Sequence, residues 1–249
     1  MGKIIAIGGG EIGRPGKLIE TLTIDKEIVS LSNKKNPKLL FIPTASSDSE
    51  GYCEVVRKYF GEKLGCSVDV LNLIKENYSK KQIREKILSA NIIYVGGGNT
   101  LKMMNIWKKK GIDKLLHEAY LKGVVLSGVS AGSICWFNNG NSDSRKFTSN
   151  KFKLIKVTGL GLINAMNCPH FDIEKYRKNE LKRMMQKTKG IAIALDNLSA
   201  IEIIDDKYRI LKSQKNAKAY RTFWRNNKYY VEEIKYTKKL NLLKDLLTM

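Results

Sequence analysis

The length, composition and charge of the chain exclude several classes of protein. Its 249 residues suffice for one sizeable core, and no stretch has the composition of a linker, so we expect a single domain over residues 1–249. The formal charge of +21 is carried mostly by lysines spread over nearly every element, which argues against a nucleic-acid partner and is compatible with an anionic substrate.

Short apolar runs and helical patterns alternate along most of the chain. The runs, bounded by glycine or turn residues, are typical of strands buried on both faces: Ile4–Ile7, Leu39–Ile42, Val68–Leu73, Ile92–Val95, Val124–Leu126 and Ile191–Leu195. Helical patterns lie between them: Cys53–Leu64, Lys81–Leu88, Leu101–Trp107 and Ile112–Leu121. This alternation predicts a three-layer α/β/α fold around a mostly parallel sheet.

The C-terminal region has a different pattern. Apolar and aromatic segments alternate there with polar turns and predict antiparallel strands: Ile201–Ile204, Tyr208–Leu211, Tyr220–Trp224 and Tyr229–Ile234. A terminal helix is predicted from about Lys238. We expect these strands to finish the edge of the sheet, where exposed strands would allow two copies of the chain to pair as a homodimer.

Signals for export, membrane insertion and metal binding are weak. The chain opens directly on a strand-like run, and no apolar segment approaches the roughly 20 residues that cross a bilayer, so we expect a cytoplasmic protein with no membrane partner. The four cysteines show no Cys-x-x-Cys spacing, which predicts neither a structural metal nor another cofactor. Cys168, two residues before His170, is interpreted as a buried thiol.

A first glycine cluster, Gly8–Gly13, formally matches the G-x-G-x-x-G fingerprint of dinucleotide-binding proteins. Pro15 would interrupt the helix that should hold the pyrophosphate, and the strand that ends near Ile42 offers no acidic residue for a ribose hydroxyl. We therefore interpret the cluster as a tight loop at the carboxyl end of the first strand.

A second cluster, Gly96–Thr100, lies between a predicted strand and a predicted helix that Thr100 can cap. One glycine would satisfy an ordinary turn, whereas three let the backbone adopt positive φ and approach a ligand closely. The cluster therefore favours backbone amides presented to a substrate, with Asn99 as a substrate-binding candidate.

The third cluster, Gly128–Gly132, places Ser130 between two glycines after a strand and before a helical pattern through Ile134–Phe137. This is the spacing of a nucleophile elbow, in which a strained turn lifts the serine Oγ above the sheet. The pattern predicts a serine hydrolase with Ser130 as its nucleophile.

A nucleophilic serine needs a base, and the chain has only two histidines. His117 lies in the middle of a predicted helix, far from the strand tip, and is interpreted as a surface residue. His170 follows Pro169 in a loop at the carboxyl edge of the predicted sheet, where the sites of this fold class collect. We therefore expect His170 to be the general base.

Taken together, Val95–Thr100, Gly128–Gly132 and Pro169–Phe171 resemble, in that order, the peptidase S51 family, which includes peptidase E and cyanophycinase. The resemblance runs from the first strand to about residue 204. It implies a fold similar to that of class I glutamine amidotransferases, with serine in place of the cysteine nucleophile. It also implies hydrolysis of peptide bonds next to aspartate, and hence a small peptide substrate.

Carried over residue by residue, the resemblance implies that Ser130 attacks the peptide carbonyl and that His170 takes its proton. The backbone amides of Gly98 and Ala131 are then expected to form the oxyanion hole. An acyl-enzyme on Ser130 follows, and water hydrolyses it with His170 again as base.

The residue that orients His170 differs among members of the family. Some use an aspartate in the loop after the elbow helix, for which Asp143 is the nearest candidate here. Others place a glutamate just past the strand that ends at Asp196, where this chain has Asn197. Asp143 is favoured over Asp196, although either aspartate would also suit a turn.

The cation that would hold a substrate aspartate is also open, with Arg145, Lys175 and Arg177 as candidates. Two further interpretations of the function stay open. The first is a member of the same fold that has lost or changed its activity and acts as a binding protein. The second is an ordinary α/β-hydrolase esterase, in which the histidine normally follows the serine by much more than about forty residues.

Overall fold

The computed structural model describes residues 2–147, 153–173 and 175–249. The strands are β1 (Lys3–Ile7), β2 (Lys38–Ile42), β3 (Ser67–Val70), β4 (Ile92–Val95), β5 (Val125–Val129), β6 (Phe137–Ser142), β7 (Ile155–Thr158), β8 (Ile163–Cys168), β9 (Ala192–Leu195), β10 (Ser199–Ile204), β11 (Lys207–Lys212), β12 (Ala219–Arg225), β13 (Lys228–Glu233) and β14 (Asn241–Leu242). The α-helices are α1 (Leu22–Leu31), α2 (Glu50–Val56), α3 (Lys80–Ser89), α4 (Thr100–Lys110), α5 (Ile112–Leu121), α6 (Ala131–Ile134), α7 (Lys175–Gln186) and α8 (Leu243–Leu247). Short 3₁₀ turns cover Thr44–Ser46 and Ser144–Phe147, and α2 continues as a π-helix over Arg57–Lys63.

The main sheet has eight strands in the order β14-β11-β10-β1-β5-β4-β2-β3. Neighbouring strands from β1 to β3 in this order are parallel, whereas β10, β11 and β14 are added antiparallel at the other edge. The prediction of a mostly parallel sheet, finished by antiparallel C-terminal strands, is confirmed for β10 and β11. The predicted strands Tyr220–Trp224 and Tyr229–Ile234 instead form β12 and β13 of a second sheet, where β12 pairs with β9.

Successive side chains of a strand point to opposite faces of a sheet, and in the central strands of the main sheet the side chains on both faces are buried. Ile4 and Ala6 of β1 belong to one hydrophobic core, and Ile5 and Ile7 belong to the other. Helices therefore cover both faces, which explains why these strands read as continuous apolar runs.

A second sheet, not foreseen from the sequence, has the order β13-β12-β9-β8-β6-β7. It arises because α6 ends at Ile134, and the chain enters β6 at Phe137 where a helix was predicted. Backbone amides of Leu160 and Gly161 donate to the carbonyls of Cys135 and Phe137, so the β7–β8 connection binds acceptors that a longer helix would have used itself.

The terminal helix also begins later than predicted. Asn241 and Leu242 pair with Tyr208 and Lys207 of β11, and α8 starts only at Leu243. Within the part of the chain that the structure describes, no helix is both long and apolar enough to cross a bilayer.

Candidate active site

Ser130 lies on a sharp turn between β5 and α6. Its φ and ψ are 57° and −109°, a region that costs a non-glycine residue about 1–3 kcal/mol. The flanking glycines are required by close packing: a Cβ on Gly132 would stand 2.1 Å from the Val95 carbonyl oxygen, and one on Gly128 would stand 2.5 Å from the Gly132 carbonyl oxygen. The chain therefore forms the strained elbow that its sequence predicts.

His170 meets Ser130 across the carboxyl edge of the main sheet. It follows β8 and Pro169 with a φ of 55°, and its backbone amide donates to the Gly8 carbonyl at 3.2 Å. The Nε2 atom lies 2.8 Å from Ser130 Oγ. The structure thus brings the predicted nucleophile and base into hydrogen-bond contact, while His117 lies exposed on α5.

The other ring nitrogen of His170 faces an amide instead of the expected carboxylate. Nδ1 lies 2.7 Å from Asn197 Oδ1, in the loop between β9 and β10. With Oδ1 as the acceptor, Nδ1 carries the proton and Nε2 accepts from the Ser130 hydroxyl. Asn197 was not predicted as a site residue. The feature of the sequence that points to it is its position just past the end of a strand.

The two aspartates that the sequence suggested for orienting His170 have other partners. Asp143 forms ion pairs with Lys146 and, at 3.6 Å, with the buried Arg177. The Asp196 carboxylate accepts from the Lys218 backbone amide at 3.1 Å, and burial raises the pKa of Asp196 to about 6. The expectation that Asp143 orients His170 is corrected, because its carboxylate pairs with Lys146 and Arg177 while Asn197 contacts His170 Nδ1.

The first glycine cluster serves the same pair. A Cβ on Gly9 would lie 2.1 Å from Asn197 Oδ1 and 2.5 Å from His170 Nδ1. The chain then runs through a loop closed by an isolated bridge between Ile12 and Ile19, and α1 begins only at Leu22. Its backbone is therefore a loop, as interpreted from the sequence, and not the strand-to-helix turn of a dinucleotide site.

The loop Gly96–Asn99 lies against Ser130 and presents candidate oxyanion donors. Several neighbouring backbone groups already have partners. The amides of Gly96 and Asn99 donate to the carbonyls of Ile42 and Ala45. The Gly97 backbone is hydrogen-bonded to Tyr52, and the Ser130 amide donates to the Ile7 carbonyl.

Gly98 has a φ of +140°, and a Cβ there would stand 2.2 Å from the Ala45 carbonyl oxygen, so only glycine fits. Gly98 and Ala131 remain the amides of the predicted oxyanion hole.

Asn99, the predicted substrate-binding residue, lines the site but also caps α4. Its Oδ1 accepts from the Lys102 amide at 3.0 Å, and its Nδ2 donates to the Ser144 carbonyl at 3.3 Å. The cap expected from Thr100 is therefore made by its neighbour, and Thr100 is the first helical residue.

A cleft of about 1000 Å³ opens over Ser130, His170 and Asn197. The loop of residues 8–20, here called the flap, and the start of α4 both line this cleft. The charged residues that line the cleft are Glu11, Arg14, Glu20, Glu54 and Lys102.

The two cations of the cleft differ in their partners. Arg14 is hydrogen-bonded through Nε and a terminal nitrogen to Glu11 on the flap, and this contact raises the pKa of Arg14. Lys102 Nζ donates to Ser47 Oγ at 2.7 Å, a neutral partner. No carboxylate of the described residues lies within ion-pair distance of Lys102, which leaves its charge available to a ligand.

The cations considered from the sequence lie elsewhere. Arg177 is buried and donates to the Asn141 carbonyl besides pairing with Asp143. Arg145 is exposed in the 3₁₀ turn and is not part of the cleft wall, and the side chain of Lys175 lies outside what the structure describes. Among the described residues, no group of three or more His, Cys, Asp or Glu side chains could hold a metal ion, and Cys168 is a buried thiol.

Comparisons with known proteins find related sequences among peptidases. The sequence model described as "Peptidase family S51" matches residues 4–211. The chain is 35% identical over 223 residues to "Uncharacterized peptidase YgaJ" of Bacillus subtilis, covering 89% of this chain and 92% of that protein. It is 29% identical over 154 residues to "Peptidase E" of a Nostoc species, covering 59% of this chain and 57% of that protein.

Solved structures show the same fold. A crystal structure of a peptidase from an acI-B1 actinobacterium has a TM-score of 0.72 at 19% identity and covers 97% of both chains. A putative peptidase E protein from Listeria monocytogenes has a TM-score of 0.60 at 23% identity, covering 85% of this chain and 98% of the other.

Proposed function

Because this chain belongs to peptidase family S51, we propose that it is a serine-type peptidase that cleaves short peptides through an acyl-enzyme on Ser130. The main support for this proposal is the 2.8 Å contact between Ser130 Oγ and His170 Nε2, which forms on a strained elbow at the floor of a cleft. A serine with only a structural role has no need of that backbone conformation.

In the proposed reaction, Ser130 Oγ attacks the peptide carbonyl carbon and its proton passes to His170 Nε2. The negative charge on the carbonyl oxygen is stabilised by the amides of Gly98 and Ala131, each worth about 3 kcal/mol of barrier. Collapse of the tetrahedral intermediate transfers the proton from Nε2 to the leaving amine. Water, deprotonated by His170, then releases the acid product and restores the Ser130 hydroxyl.

The proposed substrates are α-aspartyl dipeptides. Lys102 and Arg14 supply positive charge to the cleft. Lys102 is hydrogen-bonded to the neutral Ser47 hydroxyl, so its charge can also pair with a substrate carboxylate. Glu11, Glu20 and Glu54 line the same cleft and supply negative charge, which suits the free amino group of a dipeptide. A relative named "Peptidase E" is consistent with this substrate class.

The test compares the wild-type protein with Ser130→Ala on aspartyl, asparaginyl, glutamyl and leucyl dipeptides and on a simple ester. The proposal expects cleavage of the aspartyl substrates by the wild type and none by the variant. Equal activity of both proteins would overturn the role of Ser130. Complete inertness of the wild type, with no reaction toward a fluorophosphonate, would instead indicate a binding protein that has kept the fold.

A further inference from the structure

A second cavity adjoins the catalytic cleft. It has a volume of about 610 Å³ and is lined by residues of the flap, of α2 and of the π-helix that continues α2. Four residues line both cavities: Ile12, Pro15, Glu54 and Val55. The second cavity is therefore continuous with the cleft along the flap and α2, and it offers a ligand at Ser130 a place to extend.

The lining of the second cavity favours an apolar group. Its apolar side chains come from the flap and from the helix: Ile12, Pro15, Ile19, Val55 and Tyr59. Its charged side chains all come from the helix: Glu54, Lys58, Glu62 and Lys63. Because the two negative and two positive charges cancel, neither an anion nor a cation gains from entering. Burial of apolar surface is then the main contribution to binding.

Hydrogen bonds within the protein hold the walls of this cavity in place. Ile12 and Ile19 pair in the isolated bridge that closes the flap on itself. On the helix, the Tyr59 hydroxyl donates to the buried Asp25 Oδ2 at 2.9 Å. A site with fixed walls binds more tightly because less ordering of side chains and loops is needed when the ligand enters.

The separation of the two cavities sets the length of ligand that can occupy both. Tyr52 lines the cleft, and Tyr59, about two helical turns further along, lines the second cavity. At a rise of about 1.5 Å per residue, these positions lie about 10 Å apart along the helix. An extended peptide covers about 3.4 Å per residue, so about three residues span this distance. A dipeptide at Ser130 does not reach the second cavity, whereas a peptide of four or five residues does.

The direction of such a peptide follows from the proposed function, on which this inference rests. With aspartate as the first residue, everything beyond the scissile bond belongs to the leaving part of the substrate. We propose that the second cavity is a subsite for an apolar side chain at the fourth or fifth residue of the substrate. The preferred substrates are then aspartyl peptides longer than a dipeptide, with an apolar residue such as leucine near the carboxyl end.

The first measurement compares kcat/KM for Asp-Ala, Asp-Ala-Ala-Ser and Asp-Ala-Ala-Leu, together with peptides in which leucine stands at the second or third position. Burial of a leucine side chain is expected to raise kcat/KM roughly 10-fold to 100-fold over serine at the fourth position. Equal values for the two tetrapeptides would overturn the inference. If Asp-Ala were still cleaved, the proposed function would stand without the subsite.

The second measurement changes the cavity wall. Ile19 lines the second cavity but not the cleft, and Ile19→Ser is expected to bring the ratio of the leucine and serine values of kcat/KM close to one. Leu18→Ser is the matched control, because Leu18 is 83% exposed and lines neither cavity, so this variant should keep the wild-type ratio. An unchanged ratio in a folded Ile19→Ser, as judged by thermal unfolding, would contradict the assigned location.

The third measurement needs no cleavage and no change in the cavity. Ser130→Ala is mixed with a tetrapeptide, Asp-Ala-Ala followed by the diazirine analogue of leucine, irradiated and digested for mass spectrometry. We expect adducts on the flap near Ile19 and on the helix near Tyr59, suppressed by excess Asp-Ala-Ala-Leu more than by the serine peptide. No adduct, or adducts confined to other segments, would overturn the inference. This result judges the subsite even if the wild type cleaves nothing, so failure of the proposed function is distinguished from failure of the subsite.

Discussion

Ser130 and His170 both have left-handed backbones, with φ of 57° and 55°, and their side chains meet at 2.8 Å. The two strained residues come from different sheets, since Ser130 follows β5 and His170 follows β8. The surrounding packing holds both strained backbones in place, and in the proposed mechanism the hydrogen bond between them activates the nucleophile.

Relieving the strain at Ser130 should stabilise the fold while abolishing activity. Ser130→Gly and Ser130→Ala both remove the nucleophile, but only glycine adopts a φ of 57° with a ψ of −109° at little cost. We expect Ser130→Gly to be about 1–2 kcal/mol more stable than Ser130→Ala in urea unfolding. Equal stability of the two variants would mean that the elbow is not strained in solution.

A methyl group on Gly9 should disable the site without unfolding the protein. The added Cβ would displace Asn197 Oδ1 and His170 Nδ1, which it would otherwise approach within 2.5 Å. We expect Gly9→Ala to lower kcat at least 100-fold, as loss of an oriented base does.

The matched control is Gly61→Ala, whose Cβ would meet its nearest neighbours at an ordinary 3.7 Å. It should keep wild-type activity. If Gly9→Ala also keeps it, the close packing of the first glycine cluster does not determine the geometry of the base.

Lys102 should determine the preference for acidic substrates. Removing its charge leaves a substrate carboxylate without a charge-assisted hydrogen bond, worth roughly 1.5–3 kcal/mol. We expect Lys102→Met to lower kcat/KM for aspartyl dipeptides by about 10-fold to 100-fold and to leave asparaginyl dipeptides nearly unaffected.

Lys102→Arg should retain most of the preference because the positive charge is kept. Lys108→Met, exposed on the same helix, is the control for a general loss of charge. An equal loss on aspartyl and asparaginyl substrates would assign Lys102 to packing of α4 instead of to recognition.

Stability should fall as pH rises from about 4 to 7 because of Asp25, a buried acid on α1. Asp25 Oδ2 accepts from Thr21 and Tyr59, and burial raises the pKa of Asp25 to about 7. A raised pKa in the folded state means that the stabilising contribution is complete below the unfolded pKa near 4. It is lost as pH approaches 7, at about 1.4 kcal/mol per unit of difference between the two pKa values.

Urea unfolding at pH 4.5, 6 and 8 tests this dependence. Asp25→Asn should flatten the decline relative to the wild type, whereas Asp206→Asn, at an exposed turn, should leave it unchanged. A decline of the same size in Asp25→Asn would assign the pH dependence to other groups, among them Asp196, whose pKa is also raised by burial.

Sequence patterns predicted the elements whose signals are local. The apolar runs of β1, β2, β4 and β5 mark strands buried on both faces, and the glycines around Ser130 mark the elbow, because each feature depends on residues close in sequence.

Contacts between distant segments were not predictable in the same way. The early end of α6 depends on amides of Leu160 and Gly161, and the partner of His170 lies 27 residues further along the chain. An amide side chain carries no charge, so Asn197 does not stand out in the sequence as a partner for a histidine in the way that Asp143 and Asp196 do.

In the proposed mechanism, His170 activates Ser130 for covalent catalysis. The most direct measurement is mass spectrometry of the intact protein and its peptides after brief exposure to a fluorophosphonate. We predict one adduct, located on Ser130, in the wild type, and at least 100-fold slower labelling in His170→Ala. Absence of an adduct in the wild type, or labelling of Ser130 at an equal rate in His170→Ala, would contradict this mechanism.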